Sequence, residues 1–163
     1  MIERGPASLY PSTVTVRGLT KARILDVNLT LHDFRHEYPG DVDLLLVSPA
    51  GRAAIVMSDA GSLHRADNLT IRLDDRAAAP LPFADALTSG SFQPANHDAG
   101  GSDDDLFPAP APQGITNTAL SIFRGANPNG RWKLFVSDDA DSDDGLFTGG
   151  WTLTIKARIT TRE

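Results

Sequence analysis

The chain has 163 residues, with 15 Lys+Arg against 21 Asp+Glu, a formal net charge of −6 and no cysteine. That length fits one domain with a sizeable core, and the negative balance speaks against nucleic-acid and anionic-membrane partners. Without cysteine there are no disulfides, thiolate zinc sites or cysteine nucleophiles. No apolar run approaches the roughly 18 residues of a membrane span, and "MIERGPASLYPS" lacks the apolar core of a signal peptide. Eighteen of the acids are Asp and three are Glu (Glu3, Glu37, Glu163). With 14 Gly and 11 Pro, that bias toward turn-forming residues indicates a turn-rich β protein.

Residues 1–11 read as an extension. Thr13–Val16 then alternates, with Val14 and Val16 on one side. In "ILDVNLTL" the period of two places Leu25, Val27, Leu29 and Leu31 on a core face and Asp26, Asn28 and Thr30 opposite. "DVDLLLVSPAG" predicts a more fully buried strand ending in a tight turn at Pro49, Ala50 and Gly51, and "RAAIVMSD" returns, so Asp41–Met57 reads as a hairpin. "NLTIRLDD" is a further strand on Leu69, Ile71 and Leu73.

Residues 76–115 lose this periodicity and carry Pro80, Pro82, Pro94, Pro108, Pro110 and Pro112. They predict a long loop region with a short helical turn near Phe83–Leu87. It is either functional or an ordered coil pinned by Phe83, Phe92 and Phe107. "TALSIFRG" gives a short helix or strand around Leu120 and Ile122. "GRWKLFVSD" puts Trp132, Leu134 and Val136 on one face, and "GGWTLTIKAR" does the same with Trp151, Leu153 and Ile155. These two strands are expected to form a hairpin across the acidic stretch between them, with both tryptophans in one core. Short strands without a long helix predict an all-β fold, a sandwich of two antiparallel sheets.

The acidic stretch "SDDADSDDG" sets Asp138, Asp139, Asp141, Asp143 and Asp144 within seven positions. At this density like charges repel, raising pKa values or splaying the side chains. Calcium would relieve the repulsion by gathering oxygens at roughly 2.3–2.6 Å. Asp139, Asp141 and Asp143 have the spacing that opens an EF-hand loop, but its sixth position is Asp144 instead of Gly and its twelfth is Gly150 instead of Glu. The EF-hand is excluded. A different calcium loop, a solvated acidic turn and a polar protein-binding patch remain. "DAGGSDDD" adds Asp98, Asp103, Asp104 and Asp105, which would improve the site if folded beside it. Asp74 and Asp75 could orient a ligand or cap a turn. Asp41 and Asp43 share a strand face and read as structural. The metal candidates are therefore Asp138, Asp139, Asp141, Asp143, Asp144, Asp103, Asp105 and Asp75.

No nucleophile elbow, phosphate loop or H-E-x-x-H motif occurs. A self-contained enzyme would instead require a pocket pairing one of His32, His36, His64 or His97 with a serine or carboxylate.

Three ordered blocks carry a family resemblance. In "ILDVNLTLHDFRHEYPGDVDLLLVSPAG" an alternating strand leads to Gly40-Asp41, an apolar strand and Ser48-Pro49-x-Gly51. "LDDRA" (73–77) and, loosely, "GSFQP" (90–94) follow. "LSIFRGANPNGRWKLFVSDDADSDDGLFTGGWTLTI" supplies Phe123, Gly125, Gly130, Trp132, Leu134, Val136, Asp138, Gly145, Leu146, Trp151 and Leu153. Together they resemble the P domain, or Homo B domain, of subtilisin-like proprotein convertases over residues 12–157, leaving 158–163 as a tail. The resemblance implies a jelly-roll-like β-sandwich that follows a Ser-His-Asp protease domain, stabilises it and helps set its calcium and pH response. It also implies an extracellular or cell-surface setting. This chain has no protease domain, so no catalytic role carries over. The resemblance favours calcium in the Asp-rich loops. Its partner would be a subtilisin-like protease domain or another secreted protein. The alternative is a free-standing carbohydrate- or protein-binding adhesion module, for which Phe92, Phe107 or Tyr38 would form an exposed platform.

Overall fold

The structure, a computed structural model, describes residues 5–97, 105, 107–140 and 145–160. Among the described residues eleven strands form two sheets and no α-helix occurs. The strands are β1 (Gly5–Pro6), β2 (Ser12–Val16), β3 (Ala22–His36), β4 (Val42–Val47), β5 (Ala53–Ser58), β6 (Ala66–Leu73), β7 (Gly90–Phe92), β8 (Ala95–Asn96), β9 (Gly130–Asp138), β10 (Gly145–Phe147) and β11 (Trp151–Ile159). Single 3-10 turns span Pro39–Asp41 and Leu120–Phe123.

The larger sheet runs β9-β4-β5-β8, with β1 and β2 both pairing along β9. The smaller runs β3-β6-β7, with β10 and β11 both pairing along β3. The two pack face to face. Leu29, Leu31, Phe34 and Ile71 from the smaller sheet meet Leu44, Leu46, Val56, Trp132 and Leu134 from the larger in one buried core. Val14, Val16, Trp151, Leu153 and Ile155 pack against that core, as their alternation predicts. The Asp41–Met57 hairpin is present as β4 and β5, closed by the Ser48–Arg52 turn.

Several expectations are corrected. The sheets are mixed: β8 runs parallel to β5 and β7 parallel to β6. The strands around Trp132 and Trp151 do not form a hairpin, because β9 lies in the larger sheet and β11 in the smaller. Alternation fixes which face a strand buries, and both arrangements bury the same face. β9 therefore ends in one sheet and β10 begins in the other. Leu25 is 39% exposed while Ile24 is buried, because β3 carries an extra residue opposite the Lys156/Ala157 step of β11. Such a bulge shifts the alternation by one. The turn at Phe83–Leu87 is not helical, and in the second 3-10 turn Leu120 and Phe123 are buried while Ile122 is exposed.

The 76–115 region is largely ordered coil that supplies β7 and β8 as short edge strands. Its last part covers the outer face of the larger sheet. Phe107 and Ala111 pack there against Leu45, Val47, Ala53, Ile55 and Phe135, with Tyr10 edge-on to Phe135. Burying a ring such as Phe107 is worth about 1.5–3 kcal/mol. This second, smaller core explains why "DLLLV" is apolar on both faces.

Candidate functional site

The start of β4, the end of β5 and the end of β9 meet at one end of the sandwich, where Val42 stands opposite Asp138 and Ser58 opposite Asn96. Asp43 lies there on the outer face. It precedes Leu45 and Val47 on the same side of β4 and pairs with Ser137. The covering segment and the surrounding strands leave Asp43 only 2% exposed, and its Oδ2 has no hydrogen-bond partner.

Three more carboxylates act on it. Asp59 follows β5, Asp139 follows β9, and Asp105 comes from the covering segment two residues before Phe107. The Ser58 Oγ lies 2.6 Å from Asp105 Oδ1 and 3.1 Å from Asp59 Oδ2, so its one proton is shared among the carboxylates around it. Asn96 Nδ2 donates to Asp105 Oδ2 at 2.7 Å. The Asp139 amide donates to the Asp41 carbonyl at 3.0 Å, fixing the end of β9 beside the start of β4. Burial pushes the Asp43 carboxyl up to about 8. A hydrogen bond from Ser58 opposes this, and the charges of Asp105, Asp139 and Asp59 add to it.

The eight candidate ligands separate. Asp139 and Asp105 join this cluster. Asp138 sits beside it but is turned to His36, whose Nε2 donates to Oδ2 at 3.2 Å, while Oδ1 accepts from the Ala140 amide at 3.0 Å. Asp75 lies elsewhere, its two oxygens accepting the Leu120 and Ser121 amides at 2.9 and 2.7 Å and so capping the second 3-10 turn. Asp103, Asp141, Asp143 and Asp144 fall outside the described residues. The sequence pointed to acid density and passed over Asp59 and the central role of Asp43. The available signal was an aspartate on the same face as Leu45 and Val47, a face the fold covers.

The donor set suits the calcium that the resemblance implies. It is all oxygen, from carboxylates and a hydroxyl, and one buried carboxylate oxygen lacks any partner. Among the described residues, no three acidic or histidine side chains already stand around one point as a metal centre. Ligation would require the half-buried Asp59, Asp105 and Asp139 to turn toward Asp43.

The arrangement offers little for catalysis. His36 is buried, with Nδ1 held between the Tyr38 carbonyl at 2.9 Å and the Tyr38 amide at 3.2 Å. His32 bonds Thr152 Oγ1, and His97 Nε2 bonds the Leu81 carbonyl. None of these contacts among the described residues reaches a serine hydroxyl. A shallow recess lined by Val16, Arg17, Leu19 and Asn129 contains neither histidine nor acid.

No family model and no curated protein matches this chain. Among solved structures it is similar to a serine protease of Aeromonas sobria, at 18% identity and a TM-score of 0.39, over 96% of this chain and 22% of that one. It is also similar to a chain in the complex of that protease with its chaperone, at 16% identity and a TM-score of 0.36, over 98% of this chain and 22% of that one. The chain thus spans about a fifth of the length of either.

Proposed function

We propose that this chain is a non-catalytic accessory domain of the P-domain, jelly-roll-like kind. It stabilises or regulates a subtilisin-like serine endopeptidase to which it is attached or beside which it acts, outside the cell or at its surface, with calcium bound among its aspartates. The sequence resemblance supports this, and its first and third blocks become paired neighbours, β4 with β9 and β3 with β11.

The observation that carries the reading is an exposed apolar set at the acidic end. Tyr38, Leu63 and Phe83 are 38%, 70% and 46% exposed. Their loops are tied together by the Gly40 amide on the Ser62 carbonyl and the Gly61 amide on the Pro82 carbonyl. Large apolar side chains held outward on a rigid frame suit burial against a protein partner. Binding only the folded partner stabilises it by about 2.7 kcal/mol when this domain is present at a hundred times Kd. The carbohydrate platform is less well served, because Phe107 is buried and Phe92 is half-buried against the core, leaving Tyr38.

The test is co-expression with the subtilisin-like catalytic domain encoded with or beside this chain. The expected result is a higher yield of active protease and a raised protease melting temperature, both lost in the Leu63→Asp/Phe83→Asp double variant. No binding and no gain with the wild-type domain would overturn the reading.

A further inference from the structure

We propose that a divalent cation of calcium's oxygen-seeking class binds at the acidic end of the sandwich, with Asp43 as its innermost ligand and Asp59, Asp105 and Asp139 closing around it. This deepens the calcium part of the proposed function and is independent of any protease. It also centres the ion on Asp43 of the sheet instead of on the 138–144 acidic stretch that the sequence alone favours.

The innermost carboxylate, Asp43, is 2% exposed with an oxygen that meets no donor, and the charges of Asp59, Asp105 and Asp139 from three other chain segments bear on it. Ser58 has one proton to share among Asp43, Asp59 and Asp105, and Asn96 Nδ2 donates to Asp105. A divalent cation would counter the negative charge gathered on Asp43 and give its orphaned oxygen a partner. Carboxylates supply hard, charged ligands, while the absence of sulfur ligands and the diversion of His36 to Asp138 and Tyr38 disfavour zinc.

The site would do structural work. Asp105 lies two residues before Phe107, whose ring is buried against Phe135 and Leu45 on the outer face. Drawing Asp105 onto an ion shared with β4 and the ends of β5 and β9 would clamp the covering segment to the sheet. The loops bearing Tyr38 and Leu63 connect to the same strands, Pro39–Asp41 leading into β4 and Asp59–Ser62 leaving β5. An ion here would therefore also stiffen the apolar face.

The experiment is calorimetric titration of the isolated chain with calcium, together with thermal melts in calcium and in chelator and hydrogen exchange across 105–115. Wild type is expected to bind one ion, melt several degrees higher in calcium and gain protection in 105–115. Asp43→Asn should weaken binding at least tenfold, and so should Asp105→Asn, which sits on the covering segment and keeps the test valid should the core variant fail to fold. The Asp141→Asn/Asp143→Asn double variant should retain most of the shift. No calcium binding by wild type would overturn the proposal. So would a shift that survives Asp43→Asn and Asp105→Asn, or one that vanishes only in the 141/143 variant. Because no protease is present, failure here leaves the accessory role standing, and failure of the co-expression test leaves this site standing.

Discussion

Replacing Asp43 with asparagine keeps the side chain's shape and removes its charge, so it isolates the cost of a buried carboxylate. In the metal-free folded chain Asp43 holds its proton up to about pH 8, against an ordinary value of 3.8. Between those values the folded state binds more protons than the unfolded one. Asp43's contribution is therefore complete below about pH 3.8, declines as pH rises through the window and is gone above about pH 8. The limiting slope is about 1.4 kcal/mol per pH unit for one proton. From pH 5 to pH 7, wild type should lose up to about 2.7 kcal/mol that Asp43→Asn does not lose. For a domain of this size that corresponds to roughly 5–10 °C in relative melting temperature.

The assay is a pair of melting curves across pH 5–8 in chelator, read as wild type minus variant. The facing groups Asp59, Asp105, Asp139 and Ser58 and the neighbouring His36–Asp138 pair are common to both proteins, so the difference between the curves reports on Asp43 to first order. Parallel curves, with no growth of the difference as pH rises, would refute the claim that burial of Asp43 governs this end of the fold. Saturating calcium should reverse the ranking at pH 7, making wild type the more stable protein.

Two further substitutions test the frame. Gly130→Ala forces a side chain into φ +124° and puts a Cβ 2.6 Å from Pro49 Cβ; it should cost about 1–3 kcal/mol from the backbone alone, read by denaturant unfolding, and a neutral result would contradict the close approach of the Ser48–Arg52 turn to β9. Asp75→Ala orphans the Leu120 and Ser121 amides and should cost about 1–2 kcal/mol while leaving any calcium-induced melting shift intact; loss of that shift would show that Asp75 is a ligand after all.

Local alternation determined most of the strands. A residue pattern of period two has one way to bury its apolar face, so Val27, Leu29 and Leu31, Ile71 and Leu73, and Trp132 and Leu134 were legible as core. Turn chemistry at Pro49–Gly51 likewise determined the β4–β5 hairpin. Bulges escaped this logic, because the extra residue beside Leu25 is defined only by the partner strand. So did the placement of β9 and β11 in different sheets and the parallel edges β7 and β8, which depend on where neighbouring strands lie.

The candidate site divides along the same line. Charge is written in the sequence, and Asp105, Asp138 and Asp139 were visible as members of acidic runs. The cost of a charge depends on how much water the fold removes and on which charges come near, and only the tertiary structure decides either. Asp43 becomes the centre because segments from distant parts of the chain enclose it, whereas Asp75, equally acidic in sequence, is spent on two backbone amides.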